Sequence, residues 1–185
     1  MLRDDIEIIE IEDFYSHKLN NHRNIKIYLP PSYSSKHYKY YPVLYTHDGQ
    51  NVFEGTESYS GDSWDLHKRT EYLIENNMIE EIIIIAVDNM KEKRLHEYAY
   101  EDGTYQGKKV KAEADNYEKF ITEELMPVIE EEFRVKEGPE NTALMGSSMG
   151  GLVTFNLGLR HPDLFGKLAV MSPSFWWGNS SPMQK

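Results

Sequence analysis

The 185-residue sequence predicts one α/β domain, residues 1–185, with a mostly parallel sheet and an antiparallel edge near the N-terminus. Three observations predict this class. Apolar runs of strand length alternate with segments of helical periodicity. Residues 82–87 are uncharged and rich in β-branched side chains, which is typical of a parallel strand covered on both faces. A Gly-x-Ser-x-Gly pattern, Gly146–Gly150, lies between two apolar segments and indicates a strand–turn–helix unit.

The strands are predicted from short apolar or alternating runs that end at Pro, Gly or Asn residues. The first two should form an antiparallel hairpin at one edge, because Asn20 and Asn21 separate them and prolines 30 and 31 end the second. The later runs should be inner, parallel strands. In chain order the predicted strands are residues 6–12, 24–29, 42–46, 82–87, 142–145 and 167–172.

Three helices and one long loop are predicted between these strands. Asp62 and Ser63 can cap a helix that begins near Trp64. Asp115 and Glu118 resemble an acidic cap for a helix that ends near Phe133, which Pro127 should kink. A third helix follows Ser148. Residues 88–114 are polar and rich in tyrosine, and are interpreted as a long functional or mobile loop.

Composition excludes several classes of function. A net charge of −11 argues against nucleic acid as a partner, because nucleic-acid binding requires a basic face. The chain has no cysteine, which excludes disulfides, thiolate catalysis and zinc–sulfur sites. The N-terminus lacks a signal pattern and no apolar run has membrane-spanning length, so no membrane partner and a cytoplasmic location are expected.

Ser148 is the candidate nucleophile because it is the central residue of the Gly-x-Ser-x-Gly pattern. A tight turn of this kind lifts a serine hydroxyl above the end of a parallel strand and directs it at the first amides of a helix. Those amides are free, and the helix dipole favours negative charge there. The backbone amide of Met149, which follows the serine, is therefore a candidate donor to an oxyanion.

The motifs together resemble the esterase D branch of the α/β-hydrolases, which includes feruloyl and acetyl xylan esterases, enterochelin esterases and S-formylglutathione hydrolases. The resemblance covers roughly residues 24–178 and is carried by His47-Asp-Gly-Gln-Asn, Glu124-Leu-Met-Pro, Gly146-Ser-Ser-Met-Gly-Gly and Ser172-Pro-Ser. It implies a three-layer α/β-hydrolase sandwich and a nucleophilic Ser148. It also implies a second oxyanion amide at Gln50, with Gly49 as the alternative.

Three side chains are predicted to contact the substrate. Asp48 lies in the turn after the strand at residues 42–46, where it can border the pocket. Trp176 and Trp177 follow the last strand on the same side as Ser148, and are interpreted as an acyl or aryl wall.

The remaining polar candidates are interpreted as structural or solvated. His47 is expected to be a structural loop histidine, and His67 and His96 to be solvated without a partner at metal-ligand spacing. A solvated loop is favoured over a pocket rim for Arg94, Glu97 and Tyr98.

A histidine and an acid that would complete a triad with Ser148 are missing from the sequence. Hydrolases of this fold place them after the serine, where only His161 and Asp163 occur. His161 ends the helix that starts at the serine, so a structural role is favoured. The alternatives are a fragment of a longer enzyme, a second polypeptide that supplies the missing strands, and a non-catalytic relic. The fragment is favoured, and residues 1–185 alone are expected to be unstable, insoluble or inactive.

The predicted function is that of a serine carboxylic-ester hydrolase acting on a small-molecule or carbohydrate-linked ester through an acyl-enzyme. No metal or organic cofactor is expected. An acyltransferase that uses the same acyl-enzyme is one alternative, and an inactive carbohydrate- or ester-binding homologue is another.

Overall fold

The computed structural model describes residues 7–54 and 61–178. In chain order its helices and strands are β1 (Glu7–Ser16), β2 (Asn21–Leu29), β3 (Val43–Thr46), α1 (Leu66–Glu75), β4 (Ile83–Val87), α2 (Arg94–Tyr98), β5 (Gly103–Tyr105), β6 (Lys108–Val110), α3 (Ala114–Lys119), α4 (Met126–Glu132), β7 (Thr142–Ser147), α5 (Met149–Arg160) and β8 (Lys167–Met171). None of these helices is long and apolar enough to cross a bilayer.

The main sheet has six strands in the order β1-β2-β4-β3-β7-β8. β1 pairs antiparallel with β2, and β2 pairs antiparallel with β4. The other three pairings, β4 with β3, β3 with β7 and β7 with β8, are parallel. The predicted architecture, a mostly parallel sheet with an antiparallel edge formed by the N-terminal hairpin, is confirmed.

The sheet is covered on both faces, as β4 shows. All five of its residues are buried, and alternate side chains point to opposite sides. Ile83, Ile85 and Val87 belong to the larger core cluster, which includes side chains of α3, α4 and α5. Ile84 and Ala86 belong to a second cluster beside α1. The uncharged run at residues 82–87 reflects burial from two directions, which produces three layers.

The first predicted helix is confirmed, and it begins two residues after Trp64. α1 begins at Leu66, and its N-terminal cap is Asp65 in the left-handed region, with φ 48°. Ser63 does not cap a helix amide, because its hydroxyl donates to the Asp65 carboxylate at 2.8 Å. The expected cap by Ser63 is therefore not formed.

The prediction of a long loop over residues 88–114 is wrong. The segment contains α2 and a two-stranded hairpin, β5 and β6, joined by Gln106 and Gly107. Both turn residues have positive φ, 48° and 78°, as a tight two-residue hairpin turn requires. Tyr98 and Ala99 are fully buried, so this segment forms part of the core.

The helix predicted from Asp115 is continuous, but it is irregular and is not capped as predicted. A π-helical segment, Phe120–Leu125, lies between α3 and α4. Pro127 follows directly in α4 and lacks the N–H that would close a regular turn. The kink at Pro127 stays a prediction. The cap residue is Glu113, without a side-chain cap bond.

Candidate active site

The serine bend, residues 146–150, is a strained turn between β7 and α5. Ser148 has φ 59° and ψ −120°, a backbone region that glycine alone enters without steric cost, and its side chain is exposed. An added Cβ on Gly146 would lie 2.3 Å from the Gly150 carbonyl oxygen, so the first glycine is required by close backbone approach. The bend therefore presents Ser148 to solvent at the end of a rigid strand.

The end of β8 holds this bend in place. The Ser148 N–H donates to the Met171 carbonyl oxygen at 3.0 Å, and the Ser174 N–H donates to the Ser148 carbonyl oxygen at 3.0 Å. The hydroxyls of Ser148 and Ser174 are hydrogen-bonded at 3.1 Å, and Ser174 is buried. The sequence gives Ser174 no role beyond its place in the Ser172-Pro-Ser motif, because only the fold brings it close to Ser148, 26 positions earlier in the chain.

The two predicted oxyanion donors lie in the first turns of helical segments. Met149 is the first residue of α5, so its N–H has no partner within the helix. Gln50 lies in a single 3-10 turn, Gly49–Asn51, which is closed by the bond from the Asn51 N–H to the Asp48 carbonyl oxygen at 2.8 Å. The bond that closes this turn uses the N–H of Asn51 and not that of Gln50. Residues 48–50 are called the oxyanion turn below, and their role stays a prediction.

Asp48 is not solvated at a pocket edge but buried beside the serine bend. Its carboxylate accepts hydrogen bonds from Arg94 and from the Asn89 amide, the latter at 2.7 Å. This engagement favours a structural role over the predicted substrate contact. The interpretation of Arg94, Glu97 and Tyr98 as a solvated loop is wrong, because all three lie in α2, where Glu97 and Tyr98 are buried and Arg94 is ion-paired.

His47 is a buried residue beneath the oxyanion turn, in agreement with the predicted structural role. Its Nδ1 is hydrogen-bonded to the Tyr117 hydroxyl at 2.9 Å, and its Nε2 has no partner among the described residues. Burial lowers the pKa of His47 to about 4, while the nearby Asp48 raises it and Arg94 lowers it further. The ring is therefore neutral at pH 7.

This depressed pKa predicts a loss of stability in mild acid. Below pH 6.5 the unfolded chain protonates His47 while the folded protein does not, so the free energy of unfolding should fall as the pH drops towards 4. The contribution is at most about 1.4 kcal/mol per pH unit. Urea unfolding from pH 4.5 to 7.5 should show a flatter pH slope for His47→Gln than for wild type. His37→Gln, at an exposed position, should keep the wild-type slope, and an unchanged slope in His47→Gln would contradict the assignment.

The two tryptophans predicted to form a wall differ in exposure. Trp177 is 5% exposed, donates from Nε1 to the Glu101 carbonyl oxygen at 3.0 Å, and packs on Gly103, which favours packing over substrate contact. Trp176 is 63% exposed and stacks on Tyr105, with ring centroids 6.4 Å apart. With the β5–β6 hairpin they line an open groove of about 690 Å³. Trp176 remains available to a substrate.

The prediction for His67 is wrong on both points, exposure and neighbours. The residue is buried, and one of its ring nitrogens lies within 4.8 Å of carboxylate oxygens of Glu54 and Asp65. The Lys68 ammonium lies 2.7 Å from Glu54 Oε2 and 3.8 Å from Asp65 Oδ1. The two carboxylates therefore have a cation of the chain itself beside them.

His161 lies at the far end of α5, where its Nε2 is 2.9 Å from Glu118 Oε1. Glu118 also accepts hydrogen bonds from Tyr100 and Arg160, both at 2.7 Å. This contact agrees with the predicted structural role of His161. Glu118 does not cap its helix as predicted, because α3 begins at Ala114 after the cap residue Glu113, which places Glu118 more than one turn inside the helix.

Comparison with known proteins adds to this geometry. Residues 16–185 match the model of the "Putative esterase" family. The Bacillus subtilis (strain 168) protein YbbA is 28% identical over 168 residues, covering 89% of this chain and 62% of YbbA. A ferulic acid esterase from Anaeromyces mucronatus, solved without substrate, is 28% identical with a TM-score of 0.66, covering 91% of this chain and 59% of that one.

A third relative supports the fold alone. The BES protein from Bacillus cereus has a TM-score of 0.74 at 22% identity, covering 100% of this chain and 67% of that one. The chain spans 62% and 61% of the length of two curated relatives, YbbA and YjcH of Bacillus subtilis (strain 168).

Proposed function

Because this chain belongs to the esterase family matched over residues 16–185, which confirms its resemblance to the α/β-hydrolase esterases, we propose that it is a serine carboxylic-ester hydrolase. The observation that carries the proposal is the exposed Ser148 hydroxyl on a strained bend, directly before the free amides of α5. A strained backbone at an exposed nucleophile is typical of a functional site.

The proposed mechanism passes through an acyl-enzyme. Ser148 Oγ attacks the ester carbonyl carbon while a base takes its proton, and the carbonyl oxygen becomes an oxyanion. The N–H groups of Met149 and Gln50 receive that charge, and losing one such donor typically costs about 3–4 kcal/mol. Collapse breaks the bond to the leaving alcohol, which takes the proton from the base. Water then attacks the acyl-enzyme by the same steps, releasing the acid and restoring Ser148.

The histidine and acid that activate Ser148 are proposed to come from sequence after Lys185 or from a second polypeptide. Among the described residues, the hydrogen-bond partner of the Ser148 hydroxyl is Ser174, and the His161 ring is bonded to Glu118. The share of YbbA that this chain spans, 62%, is consistent with a longer functional protein.

The proposed substrate is an ester with an aromatic or carbohydrate-linked group next to the scissile bond. The exposed face of Trp176 offers a stacking surface two residues from Ser174, whose hydroxyl bonds Ser148. The similarity to the ferulic acid esterase from Anaeromyces mucronatus supports this substrate class.

The test is covalent labelling of the whole protein, meaning this chain with any sequence that follows Lys185 in its gene. A fluorophosphonate should modify the native protein, and peptide mapping should place the adduct on Ser148. Ser148→Ala should abolish labelling, and the matched control Ser147→Ala should retain it. An adduct elsewhere, or one that persists in Ser148→Ala, would exclude the mechanism. A folded whole protein that does not label would favour the inactive binding homologue.

A further inference from the structure

We propose that Arg94 is a positioning residue that holds the oxyanion turn against the serine bend, an inference that rests on the esterase function proposed above. One guanidinium group contacts both segments. Its Nε and Nη2 donate to the Asp48 carboxylate at 2.6 and 2.8 Å, and its Nη2 also reaches the Ser147 carbonyl oxygen at 3.4 Å. A bidentate arginine–carboxylate pair fixes orientation as well as distance.

Asp48 transmits this link to the backbone of the oxyanion turn. The residue is buried in the left-handed region, with φ 58° and ψ 51°, and its N–H donates to the Tyr98 hydroxyl at 3.2 Å. A Cβ added to Gly150 would lie 2.9 Å from Asp48 Oδ2, so the carboxylate packs directly on the first turn of α5. Without Arg94 the buried carboxylate would lose its counter-charge, and the turn would have to shift towards solvent.

The other side of the oxyanion turn is attached to the end of β4. The Gln50 side chain donates from Nε2 to the Asn89 carbonyl oxygen at 2.8 Å, and its Oε1 accepts from the Asn89 N–H at 3.0 Å. This attachment fixes the turn to the sheet, whereas the Arg94 contacts fix its distance to the serine bend. The distance between the oxyanion turn and the serine bend sets the spacing of the backbone N–H groups of Gln50 and Met149, the proposed oxyanion donors. A small misplacement of such donors weakens their stabilisation of the transition state and so lowers kcat.

A direct contact between Arg94 and an anionic substrate group is the competing explanation, since the Arg94 side chain is 24% exposed. The two explanations predict different kinetics. If Arg94 contacts the substrate, replacing Arg94 should raise KM. Asp48→Asn should then leave KM unchanged, because the guanidinium would remain. A positioning role would lower kcat, and Asp48→Asn would reproduce the effect of replacing Arg94.

The experiment measures kcat and KM of the whole protein on a nitrophenyl ester for Arg94→Gln, Asp48→Asn and the double variant. Each single variant should lose about 10- to 100-fold in kcat with KM nearly unchanged. The double variant should lose no more than either single one, since both remove the same link. Arg94→Lys, which keeps the charge but not the bidentate geometry, should lose less than Arg94→Gln and serves if the latter does not fold.

The matched control is Arg160→Gln, which removes two ion pairs at the opposite end of α5, with Asp115 and Glu118, and should leave kcat and KM unchanged. Raised KM at constant kcat, or multiplying losses in the double variant, would overturn the positioning role. An inactive wild-type protein would instead contradict the proposed esterase function, so the two failures are distinguishable.

Discussion

Replacing Ser148 with alanine is expected to lower kcat for ester hydrolysis by the whole protein by about 10⁴- to 10⁶-fold. The reason is that no acyl-enzyme can form, while the two proposed amide donors remain in place. The exposed serine contributes one hydroxyl contact, to Ser174, so the free energy of unfolding should change little. Steady-state kinetics with a nitrophenyl ester measure kcat, and urea unfolding measures the free energy of unfolding. A variant that retains a tenth of the wild-type kcat would exclude Ser148 as nucleophile.

Glycine at the same position separates chemistry from strain. Ser148→Gly should be as inactive as Ser148→Ala. Its free energy of unfolding should be about 1 kcal/mol higher than that of Ser148→Ala, because glycine accepts φ 59° and ψ −120° without a Cβ clash. The comparison with alanine is the control, since both substitutions remove the hydroxyl and only glycine removes the Cβ. Equal stability of the two variants would show that the bend holds no strain.

Breaking the buried ion pair between Arg23 and Glu97 should produce the largest loss of stability. The Arg23 guanidinium donates to the two Glu97 oxygens at 3.2 and 2.8 Å, and both side chains are inaccessible to solvent. Glu97→Leu leaves an uncompensated buried charge, which typically costs about 3–5 kcal/mol. The midpoint of urea unfolding should fall accordingly, with little change in its m-value.

The double replacement Arg23→Met with Glu97→Leu should recover most of that loss, because two packed apolar side chains avoid the desolvation of two charges. The Arg23 side chain lies over the Phe120 ring, 4.6 Å from its centroid, so a methionine has an apolar neighbour there. Glu80→Gln, which removes the exposed pair with Lys136, should cost less than about 1 kcal/mol. Equal losses in Glu80→Gln and Glu97→Leu would contradict this dependence on burial.

The strands were predictable because burial on both faces of a sheet leaves a continuous apolar run, as at residues 82–87. The hairpin of β5 and β6 was missed because each strand has three residues and most of their side chains are exposed. The Gln106-Gly107 pair was the available turn signal. The burial of His67 was missed for a different reason. The buried residues of α1 are His67, Thr70 and Glu71, and hydrophobic periodicity does not detect a polar buried face.

At the site, the sequence predicted what is local and missed what is distant. The serine bend and its first helical amide are encoded within a few residues, and the glycines reveal the close backbone approach. The bond from Arg94 to Asp48 spans 46 positions, and a polar side chain alone does not reveal which partner the fold brings to it. Asp48 was therefore interpreted as a substrate contact, and Arg94 as part of a solvated loop.

The strand order of the main sheet has a consequence for synthesis on the ribosome. β3 lies in the interior of the sheet between β4 and β7, and Val43 pairs with Thr142, roughly a hundred residues later in the chain. At about 5–20 residues per second, that partner is synthesised roughly 5–20 s after β3 itself. During that interval the nascent strand has an unsatisfied edge, so slow translation between residues 83 and 142 should increase the need for chaperones.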